Sequence, residues 1–325
     1  MDRRARLEAW LNRRWYGRRP IWWLLPLSAV YLVLGTVRRL LTPRASIGVP
    51  VIVVGNLTAG GSGKTPVVLA LVNALRDRGF TPGIVTRGYG ARVPGIRVLR
   101  DGDSADAVGD EPALMAQRGV APVAIGVDRV KAARALLAAR PEVDVVISDD
   151  GLQHYRLARA VEIVVIDGTR VFGNGALIPA GPLRERTARL ESVDVVLVNG
   201  SDARAYTPYR VVAGDAVPLS GLTPSRPLAT FRGSRVHAVA GIGDPRRFFN
   251  MLARLGIFVN PHPFPDHHRY RAGDLEFDPL LPILMTEKDA VKCSAFAGPD
   301  RWFVPIRAEL PLAVVDLVQQ RLIAE

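Results

Sequence analysis

From residue 49 to about 198, short apolar runs alternate with stretches of helical composition. The runs at 49–54, 81–86, 120–125, 143–148, 161–166 and 193–198 are rich in Val and Ile and nearly unbroken, the pattern of strands buried on both faces of a parallel sheet. Between them, segments such as Arg129–Ala139 have helix composition. The alternation predicts an α/β fold with a doubly wound, mostly parallel sheet. A Gly-, Pro- and Ser-rich stretch at 219–227 predicts a hinge, after which a strand, a turn and a helix open a smaller α/β unit. The expected division is a segment 1–44, a core domain 45–220 and a C-terminal domain 221–325, and the chain is long enough for two packed cores. In the second unit, Gly241-Ile-Gly243 lacks the third glycine of a dinucleotide fingerprint, and Asp244-Pro245 reads as an N-cap followed by the first helical residue.

Residues 21–37 fit neither pattern. They are seventeen uncharged, mostly apolar residues, about 26 Å long as a helix and slightly short of a ~30 Å hydrocarbon core. Arg13, Arg14, Arg18 and Arg19 precede them, and Arg38, Arg39 and Arg44 follow. A span would export one arginine-rich flank against the positive-inside bias. The preferred reading is therefore a membrane-associated helix embedded from the cytoplasmic face, with a single span or a buried core helix as alternatives. The leading region is long and no small-residue cleavage site follows, unlike a signal peptide.

Charge supports this placement. Of the net +12, residues 1–44 supply +8, from ten arginines against Asp2 and Glu8. Lysine occurs only at Lys64, Lys131, Lys288 and Lys292. An arginine excess gathered beside the apolar segment points to anionic phospholipid rather than nucleic acid, and no protein partner is indicated. The one cysteine, Cys293, excludes an internal disulfide or a multi-cysteine metal cluster.

The chemistry begins behind the first apolar run. Thr58, Ala59, Gly60, Gly61, Ser62, Gly63, Lys64 and Thr65 form a glycine-rich turn leading into an apolar helical stretch. Such a turn points backbone N–H groups at phosphate oxygens, and the helix adds its positive end. Lys64 would reach the outer phosphates, and the Thr65 hydroxyl would bind Mg²⁺. Pro66 suits a helix's first turn. Thr58 stands where the strict phosphate-loop pattern has glycine. The run at 143–148 ends in Asp149 and Asp150, which a parallel sheet would bring to the same edge as the loop, so one of them would complete the metal site. These features predict a P-loop NTPase-like core.

Several separated strings carry a family resemblance: Val54-Gly-Asn-Leu-Thr-Ala-Gly-Gly-Ser-Gly-Lys-Thr-Pro66, Thr86-Arg-Gly-Tyr-Gly90, Val108-Gly-Asp-Glu-Pro112, Ser148-Asp-Asp-Gly-Leu-Gln-His-Tyr-Arg-Leu157, Gly173-Asn-Gly175, Pro179-Ala-Gly-Pro-Leu-Arg-Glu185, Asp266-His-His268 and Thr286-Glu-Lys-Asp-Ala290. Together they make the chain similar, over nearly its whole length, to the tetraacyldisaccharide 4′-kinases, the lipid A kinases of Gram-negative bacteria. Thr58 is part of that family's loop.

The resemblance implies transfer of the ATP γ-phosphoryl group, with Mg²⁺, to the 4′-hydroxyl of a lipid A disaccharide precursor, a tetraacyldisaccharide 1-phosphate, at the cytoplasmic face of the inner membrane. It implies Lys64 as a catalytic cation and Asp110 as the base, assisted by a histidine of the second domain: His267, with His268 the alternative. Gln153 and His154 would face the acceptor sugar or its phosphate, or else hydrogen-bond along the sheet edge. Arg87 and Arg184 would contact an anionic lipid headgroup. The Thr286–Ala290 string has no assigned chemistry beyond ion-paired support. Two rival readings are a GTPase or partition-type ATPase switch and a nucleotide-binding membrane adaptor. The first lacks a guanine-reading Asn-Lys-x-Asp, and the second gives the sheet-edge carboxylates no purpose.

Overall fold

The structure, a computed structural model, describes residues 10–92, 94–200, 206–221 and 223–324. Strands β1 (Val51–Gly55), β2 (Pro82–Thr86), β3 (Arg97–Val98), β4 (Val123–Ile125), β5 (Val145–Asp149), β6 (Val161–Asp167), β7 (Val195–Asn199) and β8 (Thr207–Ala213) precede a second group. That group comprises β9 (Val217–Pro218), β10 (Arg235–Ala240), β11 (Phe258–Pro263), β12 (Ile283–Thr286), β13 (Arg301–Val304) and β14 (Ile306–Glu309). Among the described residues they form a nine-stranded sheet, β14-β8-β7-β6-β1-β5-β2-β4-β3, and a five-stranded sheet, β11-β10-β12-β13-β9.

The interior of the large sheet is parallel, with β1 between β5 and β6. Its antiparallel pairs, β3 on β4 and β14 on β8, lie at the two edges. β1, β2 and β5 are buried throughout, as expected of strands covered on both faces. The helix Lys64–Arg76 buries Val67, Val68, Leu71, Val72 and Leu75 on one face of the sheet. Each such side chain contributes roughly 1.5–3 kcal/mol of burial. The helix Arg129–Ala139 packs Val130, Ala133 and Leu136 into the core on the other face.

The six expected strands are present, most of them displaced toward the C-terminus. Pro50 offers no N–H to a ladder, and the Thr81 N–H is taken by the Asp144 carboxylate at 2.8 Å. The sheets do not part at residue 220. β9 already belongs to the small sheet, while β14 and the helix Leu312–Ile323 return to the large one, burying Val314, Val318 and Leu322 in its core. The chain thus crosses between lobes twice, where a single hinge at 219–227 was expected.

The apolar N-terminal segment is helical from Trp22 to Leu41, twenty residues, because the helix runs on through Arg38 and Arg39. It lies along the large lobe. Ile21 N–H donates to Ala180 O at 3.1 Å, Ser28 Oγ donates to Leu177 O at 2.8 Å, and the Arg39 guanidinium sits 5.9 Å from the Tyr155 ring centre. Its outer face exposes Trp22, Trp23, Leu27, Val30, Val33, Leu34, Val37 and Leu41. The string at 179–185 helps seat it, with Ala180 N donating to Ser28 Oγ at 3.1 Å, while 173–175 holds the residues before it: a Cβ at Gly173 would fall 2.5 Å from Trp15 O.

Candidate active site

The phosphate loop joins β1 to the helix Lys64–Arg76. Gly63, the residue before the helix, has φ +80°, and Gly60 has φ +102°, conformations that glycine adopts without strain. A Cβ added at Gly60 or Gly61 would meet nothing within 4 Å, so the space above the loop is open. The loop is held from outside: Ala59 N–H donates to Pro182 O at 2.8 Å, Arg184 N–H to Leu57 O at 2.7 Å, and Tyr16 Oη to Ala59 O at 3.1 Å. From inside, buried Asn56 donates to Thr58 O at 2.8 Å and Gly60 O at 3.3 Å. Ser62 Oγ and, beneath Gly63, Tyr209 Oη are buried without a hydrogen-bond partner among the described residues. Thr65 is half-buried at the helix start.

Lys64 Nζ lies 3.3 Å from both Asn56 Oδ1 and Asp150 Oδ1. Asp149 ends β5 with its side chain buried, accepting from Thr86 Oγ1 at 3.1 Å, while its Oδ1 has no donor among the described residues. Burial, then Glu111, pushes its carboxyl up to about 7. Asp150 behaves oppositely. Burial would raise it, but Lys64 and Arg184 outweigh that and hold it down to about 2. Two adjacent carboxylates thus differ because one faces cations and the other faces the protein interior.

Asp110 is the first residue of the helix Asp110–Gln117. Gly109 precedes it at φ +94°, where a Cβ would fall 2.5 Å from Tyr89 O; the Gly-Asp pair therefore lets the chain pass under the Thr86–Gly90 string. From the small lobe, His267 Nδ1 reaches Asp110 Oδ2 at 3.0 Å and Lys292 Nζ reaches it at 3.5 Å. Burial would raise the Asp110 carboxyl, but the His267 hydrogen bond, Lys292 and Lys288 keep it below the usual carboxylate range. An ionised carboxylate only accepts, so Nδ1 carries the proton. The other oxygen, Oδ1, has no protein partner among the described residues. His268 points elsewhere, 3.1 Å from Asp274. That leaves His267, of the two histidines considered, beside Asp110.

The remaining expected residues are placed as follows. Arg184 pairs with both Asp150 oxygens at 3.3 Å and with Gln153 Oε1 at 3.3 Å. Gln153 donates to Asn56 O at 3.2 Å and Glu185 at 2.9 Å. Burial and Arg129 lower His154 to about 4, so it is neutral at pH 7. Arg87 is exposed on the rim, with no hydrogen bond or ion pair among the described residues.

Further contributors escaped sequence reasoning. Arg129, 3% exposed, donates to Gly126 O at 2.8 Å and lies 3.5 Å from Asp150 O. Nothing in the helix period marks it. Glu111, beside Asp110, acts electrostatically on Asp149 and so links the two halves of the site. On the opposite flank the lobes are joined again: Arg247 pairs with Asp167 and bonds Thr169 Oγ1 at 2.6 Å, and Arg170 reaches Asp244 at 3.3 Å. Asp244 is the N-cap residue expected, yet its carboxylate makes these ion pairs in place of a cap bond.

The site thus has an open glycine cradle with a lysine, buried carboxylates below it, and an imidazole–carboxylate pair across the cleft. The family model for tetraacyldisaccharide-1-P 4′-kinase (LpxK) matches residues 20–323. The chain belongs to this family. Curated relatives named tetraacyldisaccharide 4′-kinase include one from Aromatoleum aromaticum, 48% identical over 92% of this chain and 93% of that protein. Another, from Alkalilimnicola ehrlichii, is 50% identical over 90% and 91%. Among solved structures, LpxK from Aquifex aeolicus in complex with ATP superposes with a TM-score of 0.77 at 27% identity, covering 92% of this chain and 98% of that one. Membership agrees with the resemblance read from the strings and leaves the switch reading unsupported. Asp289 of Thr286-Glu-Lys-Asp is buried and accepts from Gly241 N at 2.9 Å.

Proposed function

We propose that this chain transfers the γ-phosphoryl group of ATP to the 4′-hydroxyl of a tetraacyldisaccharide 1-phosphate. The observation that carries the reading is the pairing of Asp110 with His267 across the lobes: Nδ1 holds Oδ2 at 3.0 Å, and Oδ1 accepts no hydrogen bond among the described residues. In the reaction the acceptor oxygen forms a bond to Pγ, the bond from Pγ to the β,γ-bridging oxygen breaks, and ADP leaves. The hydroxyl proton passes to Asp110 Oδ1. His267 Nδ1–H holds the carboxylate in place, and the loop N–H groups with Lys64 offset the phosphoryl charge, so catalysis is chiefly positioning and electrostatics.

Thr65, Asp149 and Asp150 fit a Mg²⁺ ion. Among the described residues, Asp149 Oδ1 is buried without a donor, and no cluster of three His, Cys, Asp or Glu forms a closed cage. Such a donor set suits an ion that shares its ligands with substrate phosphates. When bound, Mg²⁺ would neutralise triphosphate charge.

The anchor reading takes the helix Trp22–Leu41 as lying in the plane of the membrane. Both its ends touch the catalytic body, so it could not cross a bilayer without drawing that body in. Its apolar outer face would enter the lipid, with Arg38 and Arg39 at anionic headgroups. Since ATP is cytosolic, the body would sit on the cytoplasmic face.

The direct test incubates the purified protein with ATP, Mg²⁺ and tetraacyldisaccharide 1-phosphate and follows mass. A gain of one phosphate on the distal sugar is expected. ATP hydrolysis with no phosphorylated lipid would overturn the proposal.

A further inference from the structure

The Thr286–Ala290 string and Lys292 just beyond it have no part in the chemistry above, yet their helix, Glu287–Cys293, faces the helix that begins at Asp110. Three ion pairs join the two: Glu287 with Arg118 at 2.6 Å, Lys288 with Glu111 at 3.7 Å, and Lys292 with Asp110 at 3.5 Å. The first two have a partner about a third or more exposed, where ion pairs contribute little. The third is different. The Lys292 side chain is 7% exposed and that of Asp110 11%.

A buried ammonium persists only where charge and hydrogen bonding compensate its lost hydration. Lys292 Nζ has Asp289 Oδ1 at 3.0 Å, Asp110 Oδ2 at 3.5 Å and the Tyr270 ring centre at 5.2 Å. Asp289 is itself fixed through its other oxygen, which accepts from Gly241 N at 2.9 Å and Thr286 Oγ1 at 2.5 Å. A Cβ at Gly241 would come within 2.9 Å of Asp289 Oδ1, so that glycine serves a close approach. The string therefore builds a rigid mount that aims one ammonium at the carboxylate across the cleft.

We infer that Lys292 is a positioning residue for the phosphoryl transfer: steered by Asp289, it grips Asp110 Oδ2 together with His267 and leaves Oδ1 facing the acceptor hydroxyl. The inference rests on the reading of Asp110 as the base. A hydrogen bond and an ion pair on one oxygen restrict the rotation that the hydrogen bond alone would permit, and both partners come from the small lobe, so the base is aligned only when the lobes meet. The charged and titratable groups around Asp110 are His267, Lys292 and Lys288 from the small lobe and Glu111 from the large one. Behind them, Tyr89 packs on His267, Asp266 pairs with Lys288, and Asp289, Tyr270 and Cys293 surround Lys292.

The test compares Lys292→Met, Lys292→Arg and Asp110→Asn in the full-length protein, assayed with ATP, Mg²⁺ and the lipid acceptor across pH. K292M is expected to lose about 10- to 100-fold in kcat while the KM for ATP stays within about twofold. Its acidic limb should move to higher pH by about one unit, because the cation favouring ionised Asp110 is gone. K292R should recover most of the rate. Wild-type kcat and an unmoved limb in K292M would overturn the inference, as would a K292R no better than K292M. Full activity in D110N would instead remove the parent reading, whereas an inactive D110N beside an unaffected K292M sinks Lys292 alone. Should K292M fail to fold, as thermal melting would report, Lys292→Gln carries the same comparison.

Discussion

The two ends of the site are constructed differently. The phosphate end is a run of consecutive residues, 58–65, whose working groups are mostly backbone N–H, and its shape is set by Gly60 and Gly63. The acceptor end is made of side chains, and its central contact joins residues 157 positions apart in different lobes. A backbone cradle tolerates motion of the small lobe; a cross-lobe carboxylate–imidazole pair does not. Binding of the nucleotide and alignment of the base are therefore separable, and substitutions should divide accordingly.

Lys64→Ala should show the largest effect, a loss of about 10³-fold in kcat/KM for ATP, since it removes the cation at the cradle. If steady-state kinetics show only a change in lipid KM, the two ends are not divided as described. Asp110→Asn should cost about 10²-fold or more in kcat with ATP affinity retained, measurable by calorimetric nucleotide binding. His267→Gln should cost about tenfold, and combined with Asp110→Asn should add little, because both act through one carboxylate. Independent, multiplying losses in that double variant would separate the pair.

A smaller effect concerns acid stability. Asp150 is held down to about 2 by Lys64 and Arg184, against an ordinary value near 4. A depressed carboxylate stabilises the fold above its unfolded pKa, and that contribution is lost as pH falls toward 2. Arg184→Met should therefore lower the melting temperature at pH 7 by a few degrees and narrow its gap from wild type below pH 3. A gap that stays constant with pH would show that Arg184 acts by packing alone.

Legibility in the sequence follows the same division. The sheet was readable because strands buried on both faces are continuous apolar runs, and the phosphate loop because its residues are adjacent. The short edge strand β3 and the outlying β14, with the latter's return to the large lobe, gave no comparable signal. Asp110 and His267 were named only through family resemblance; nothing in either local stretch distinguishes them from a helix start and a surface loop. Arg129 and Lys292 were missed because what singles them out is burial beside a carboxylate or its backbone, a property of the folded chain. The Thr286–Ala290 string was visible, but its use becomes clear only when Asp289 is seen tied to Gly241.

The Tyr16 hydroxyl on Ala59 O bears on how this enzyme can be handled. Removing the amphiphilic leader to obtain a detergent-free preparation would also take away a donor from the nucleotide cradle, and would strip Ile21 and Ser28 from the carbonyls they cover. A shortened enzyme that fails to turn over would thus say little about lipid attachment. Aspartate substitutions at Val30 and Leu34, which are more than half exposed, would weaken adhesion to vesicles while sparing that cradle.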